Sequence, residues 1–252
     1  MKFLRLLSID LRQVFTRRLT FAVIITFVIY SFAGFGFVND EYIDVWYIVN
    51  IAVWGSTAFF ALYTIPAFAF SPALATDWQS GASRYWIIRT GSDSYTLSKM
   101  FASAVAGFLT HFIATTLLMT VLAFKLPLFI KSTTTEIYEG LMQEGHALSG
   151  IILYIADRSL KAVVAAEIGM VVSVFFTHPY VAIAAPLGVI LTGSRLFYKF
   201  HAPAVLDLAY WDVMPVNTVG ESIIYKFLLT LFYTILFSCI AVYGMRRKIA
   251  HE

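Results

Sequence analysis

Charge is scarce in this chain. Asp, Glu, Lys and Arg make up 13% of its 252 residues, against about 25% in a soluble domain. That is too little to coat a water-facing surface, so a soluble enzyme or binding module is excluded. A disordered chain is excluded as well, because disorder requires low hydrophobicity. Cysteine is scarcer still: Cys239 stands alone, so no internal disulfide can form. A net charge of +3 is too small to argue for nucleic acid. No G-x-x-x-x-G-K-[ST] loop occurs, and residues 91–99 lack the second glycine and the spacing of one. No nucleotide site is therefore expected on this chain. There is no H-E-x-x-H and no Cys/His cluster, and the five histidines are scattered, so no metal site and no catalytic centre are expected either.

What is present is apolar. Hydrophobic residues make up 60% of the chain, and mean hydropathy is +0.78. They come in long unbroken runs rather than in the dyad alternation of a membrane β-barrel, which predicts an all-α polytopic membrane protein. A spanning helix needs about 20 mostly apolar residues. Six segments qualify: 20–38, 46–70, 100–124, 160–177, 179–196 and 222–245. The fourth and fifth are separated by Thr177-His178-Pro179, a stop in which the residue before proline is pushed away from helix. No cleavage site follows the first run, which is expected to stay as a span.

Six spans put both termini on one side. Lys2, Arg5, Arg12, Arg17, Arg18, Arg84, Arg89, Lys99, Arg246, Arg247 and Lys248 then share that side, eleven of the 18 basic residues. By the positive-inside rule it is the cytoplasmic one, giving an N-in, C-in topology.

The segments between spans carry their own patterns. Residues 1–19 place Leu4, Leu7, Leu11, Val14 and Phe15 at helical spacing, with Arg5, Asp10 and Arg12 elsewhere on the wheel. That predicts a basic amphipathic elbow helix in the membrane interface. The cytoplasmic segment 71–99 holds Asp77, Trp78 and Gly81, then Arg84, Tyr85, Trp86, Ile87, Ile88 and Arg89. Two explanations fit so apolar a loop. Its aromatics lie among the headgroups, or a short helix here docks on another protein, since Trp, Tyr and Arg are enriched in interface hot spots. Outside, residues 125–159 form a sizeable loop, and residues 197–221 read as a broken, re-entrant segment with Pro203 and Pro215.

Within the assigned spans no Asp occurs, and Glu167 is the one acid, with no basic partner evident in another span. A carboxylate there is costly and marks a functional candidate; it serves equally as a packing group bonded to a hydroxyl. His111 with Ser103 is a conceivable protease pair by arithmetic alone. Ala165-x-x-x-Gly169 and Ala184-x-x-x-Gly188 are small-residue motifs for close helix packing, within one chain or between two. Pro186 allows a bend in the fifth span. The aromatics of the spans either face lipid or line an apolar path.

This layout resembles an ABC-2 type permease, the membrane subunit of type V ABC exporters. The residues that carry the resemblance are Asp77, Gly81, Ile87, Ile88 and Lys99, in the order of that family's loop between spans two and three. Gln79, Ala82 and Gly91 stand where the family more often has an acid, Thr and Pro. The resemblance implies a coupling helix over residues 77–89 that docks on a separate ABC ATPase subunit, present in two copies. ATP and Mg would bind on that partner. It also implies a second permease chain, as a homodimer or heterodimer, and export of an amphipathic peptide or hydrophobic compound across a bacterial cell membrane. A proton-coupled carrier using Glu167, or a membrane scaffold, is the alternative.

Overall fold

The computed structural model describes residues 2–35, 43–54, 56–130, 136–200 and 218–251. These residues form helices joined by short turns, with no strand among them. The order is α1 (Lys2–Val14), α2 (Arg17–Phe35), α3 (Val45–Trp54), α4 (Ser56–Phe70), α5 (Ala73–Gln79), α6 (Ala82–Thr90), α7 (Ser92–Ala123), α8 (Tyr138–Gln143), α9 (Ala147–Phe175), α10 (Pro179–Lys199) and α11 (Val219–His251).

Four helices are long and apolar enough to cross a membrane: α2, α7, α10 and α11. They hold the predicted fifth and sixth spans whole, the third as far as Ala123 and the first as far as Phe35, with residues 36–38 outside the described residues. The predicted second span is divided between α3 and α4, of 10 and 15 residues, and residue 55 between them lies outside the described residues. All but the last two residues of the predicted fourth span lie within α9. At 29 residues α9 is long enough, but Asp157, Arg158, Lys161 and Glu167 load it with charge. The re-entrant segment expected at 197–221 falls largely on residues 201–217, which lie outside the described residues.

Two loop boundaries differ from expectation. Residues 147–159 of the expected outer loop are the opening of α9, so Asp157 sits inside a long helix instead of before it. Charge does not by itself end a helix, and Asp157, Arg158 and Lys161 are all buried within it. Likewise α7 begins at Ser92 rather than near residue 100. Its 32 residues extend about 48 Å at 1.5 Å per residue, well beyond a hydrocarbon core of about 30 Å.

The expected break between α9 and α10 is present. Phe176 is extended (φ −115°, ψ 116°), His178 is extended, and Pro179 opens α10, where its missing N–H costs nothing.

α9 is the central column, packed by α4, α7, α8, α10 and α11. Its packing depends on glycines at crossings. A Cβ on Gly107 of α7 would lie 2.5 Å from the Ala162 carbonyl oxygen, and one on Gly169 would lie 2.6 Å from that of Ala182. Gly169 therefore serves as a packing position, against α10 and α4. Gly188 has no atom of the described residues within 4 Å of where its Cβ would be. Pro186 is buried inside an unbroken α10. The outward faces of α2 and α11 expose Phe21, Phe32, Phe227, Leu228, Phe232 and Ile235, as lipid-facing helices do.

A candidate coupling surface and the polar groups behind it

The sequence from Ala73 to Thr90 folds as two short helices, because Gly81 breaks the run. It adopts φ +75°, ψ −1°, a left-handed conformation that glycine adopts without steric cost. Gly91 closes α6 at φ +87°, ψ 151°, a region essentially reserved for glycine. The glycine at 91, where the resembled family more often has proline, thus sets the corner between α6 and α7.

The predicted interface residues divide into two groups. Trp78 and Trp86 are half-buried and pack against the core cluster that includes Leu6, Val14, Leu74 and Met100. Tyr85 and Ile88 are 54% and 85% exposed, and Arg84 and Arg89 are exposed with them. Arg89 donates to the Tyr85 hydroxyl, and its guanidinium carbon lies 5.1 Å from the Tyr85 ring centre. The outward surface is therefore Arg84, Tyr85, Ile88 and Arg89, with the tryptophans as its footing.

Asp77 faces inward, to a hub the sequence reading did not assemble. Lys99 Nζ lies 2.9 Å from Asp10 Oδ1 and 3.0 Å from Asp77 Oδ2. The Tyr95 hydroxyl donates to Asp77 Oδ2 at 2.8 Å, and the Ser98 hydroxyl donates to Asp10. Asp10 and Lys99 are 1% and 2% exposed. Asp10 was placed off the apolar face of the elbow helix; it is in fact on the buried face, with Leu6 and Val14, where α1 packs on α7. A single cation shared by two carboxylates, with two hydroxyl donors completing the shell, ties α1, α5 and α7 into one unit. Gln79 adds a tie to the far side: its amide Nε2 donates to the Thr177 carbonyl at 2.7 Å. A carboxylate, the residue more frequent here in the resembled family, could not donate that bond.

The end of α11 joins the same surface. Lys248 Nζ donates to the Val174 carbonyl at 3.0 Å and sits 4.1 Å from the Trp78 ring centre. Arg246 Nε donates to Asp93 Oδ1 at 2.9 Å.

Deeper in the bundle the polar groups are paired across helices. Glu167 is fully buried; its Oε2 accepts from the Thr234 hydroxyl on α11 at 3.0 Å, while its Oε1 has no partner among the described residues. Ten residues earlier on α9, Asp157 accepts from Lys226 of α11 at 2.5 Å. Asp157 precedes the start expected for the fourth span, so patterning does not weigh this cross-helix ion pair, and Glu167 itself meets a hydroxyl. Next to it Arg158 pairs with Glu136 at 2.9 Å and stacks on Trp54, 4.7 Å from the ring centre.

The proposed His111–Ser103 pair is not assembled. Ser103 donates to the Ala166 carbonyl at 3.0 Å. His111 Nδ1 meets Ser159 Oγ instead, at 3.1 Å, and Ser159 spends its proton on the Ile155 carbonyl at 2.7 Å. Assigned from that network, Nδ1 is the donor, so no base faces a serine proton. Among the described residues no group of three His, Cys, Asp or Glu could hold a metal ion.

Comparison with known proteins returns no match from any family model, curated protein or solved structure.

Proposed function

We propose that this chain is the membrane-spanning permease subunit of an ABC exporter. The observation that carries the reading is the α5–α6 pair. Two short helices held on a left-handed glycine offer Arg84, Tyr85, Ile88 and Arg89 outward, and Lys99 connects them inward to α1 and α7. In this account α5–α6 lies on the cytoplasmic side and docks on a separate ABC ATPase, two copies of which bind ATP and Mg. A second permease chain completes the transporter, and the path between the two chains carries an amphipathic peptide or hydrophobic compound out of the cell.

ATP-driven closure of the ATPase pair moves α5 and α6. Trp78 and Trp86 pass the displacement into the core cluster, and the Lys99 hub forces α1 and α7 to move with α5. A docking element free to shift alone would lose the work, so the buried ion pairs suit transmission. The chain itself performs no chemistry in this scheme.

The test is a pull-down of the tagged chain from its native membrane in detergent, with partners identified by mass spectrometry. A P-loop ATPase is expected with the wild type and is lost in Arg89→Glu, whose side chain is exposed. Trp86→Ala weakens capture through both docking and packing. ATPase recovery unchanged in both variants would refute the docking assignment.

A second reading is favoured by Glu167, whose Oε1 meets no partner among the described residues: a stand-alone proton-coupled carrier. Glu167→Gln separates the two, because the carrier loses transport and the permease keeps its ATP-driven activity.

A further inference from the structure

A groove of about 300 Å³ runs along the outward face of α1, lined by Leu4, Leu7, Ser8, Leu11, Arg12 and Phe15. We propose that this face is a binding site for an anionic phospholipid of the bilayer. Its acyl chains lie against the apolar ridge, and Arg5 and Arg12 hold its phosphate. The inference rests on the membrane class of the chain and stands apart from the exporter reading.

Two apolar faces of α1 have different occupants. Leu6, Asp10 and Val14 are at most 2% exposed where α1 packs on α7, so that face is filled. Leu4, Leu7, Leu11 and Phe15 recur at helical spacing on the neighbouring face, with Leu4 and Phe15 each 67% exposed. Position decides what covers them. Phe15 sits in the two-residue turn that joins α1 to α2, and α2 is long and apolar enough to cross a membrane. The outward side chains of α2 begin at Phe21 and continue through Ile24, Ile25, Val28 and Phe32. Arg17 and Arg18 open that helix, and basic residues flanking a span belong at headgroup level. The ridge of α1 is thus continuous with a lipid-facing helix, at the depth where acyl chains meet headgroups.

Charge selects the headgroup. Arg5 and Arg12 are exposed on α1, and Arg17 and Arg18 are exposed at its corner with α2. Among the described residues none of the four forms an ion pair. Asp10 is the one acid in residues 2–35, and it is turned inward to Lys99 at 2.9 Å. Four arginines without an ion pair, beside an apolar ridge, suit a lipid whose net charge is negative. A zwitterionic headgroup brings its own cation and gains less. Each basic residue near an anionic surface strengthens attachment roughly fivefold. The Asp10–Lys99 pair also fixes α1 on the bundle, so the groove is preformed and binding loses little to ordering.

The experiment reconstitutes the full chain in phosphatidylcholine nanodiscs that contain phosphatidylglycerol with a photoreactive acyl chain. A parallel set carries photoreactive phosphatidylcholine at the same mole fraction, and crosslinked peptides are mapped by mass spectrometry. Crosslinks to residues 4–15 should be several-fold more frequent with phosphatidylglycerol. The double variant Arg5→Gln, Arg12→Gln changes exposed side chains only and should remove most of that excess, while crosslinking along α11 stays as in the wild type. Equal labelling of α1 by the two lipids would reveal ordinary boundary lipid and overturn the site. An excess that survives the double variant would overturn the role of the two arginines and the proposal with it. Labelling of α2 without any of α1 would mean that protein, a second copy of this chain included, covers the face, and would also overturn it.

Discussion

Lys99 shows why a buried charge can be worth its desolvation. It bridges Asp10 and Asp77 at once, and with Tyr95 and Ser98 it leaves the carboxylates hydrogen-bonded. Removing one partner of a buried ion pair typically costs about 3–5 kcal/mol, because the other charge is left uncompensated. Lys99→Met should therefore lower the stability of the detergent-solubilised chain by that amount, read from its thermal unfolding midpoint. Adding Asp10→Asn should recover part of the loss, since the most deeply buried orphan charge is then gone. A Lys99→Met variant as stable as wild type would show that the hub does not hold α1, α5 and α7 together. Hydropathy patterning could not have found it: Asp10 and Ser98 are 88 positions apart, and a wheel assigns every Asp to the wet side. What the sequence did present was the pattern Asp77…Lys99, without the third member that makes it a cluster.

Among elements, α9 carries the most consequence and was the least legible. Long apolar runs announce α2, α7, α10 and α11, and a proline announces the start of α10. The charged opening of α9 reads as a loop, because nothing local reveals that Asp157 meets Lys226 from 69 residues away. Small residues were legible as a class but not in their partners: Gly169 contacts α10 and α4, whereas Gly188 has no neighbour within 4 Å of its Cβ position among the described residues. The strongest crossing, Gly107 on Ala162, lies outside the motifs read from the sequence. Gly107→Leu should destabilise by at least about 1–3 kcal/mol through overpacking, because the neighbour at 2.5 Å is backbone and cannot rotate away. Gly188→Leu should stay within about 0.5 kcal/mol in a monomeric detergent preparation. Thermal melts of the two variants side by side check this, and equal losses would contradict the α7–α9 crossing.

At the scale of the whole molecule the account joins two ends of a helical bundle. One end carries α5, α6 and the tip of α11 with their exposed arginines, tyrosine and isoleucines. The other closes over Asp157–Lys226 and Arg158–Glu136, while Glu167 ties α9 to α11 between them. The helical membrane class follows from composition and the long unbroken apolar runs. A partner cannot be read from a single chain, since docking energy resides in complementarity with a surface the sequence does not contain. The most direct measurement is native mass spectrometry of the complex released from its own membrane in mild detergent. The account predicts a particle of two permease chains and two P-loop ATPase subunits, reduced to permease alone by Arg89→Glu. A wild-type particle that contains this chain and no ATPase would contradict it.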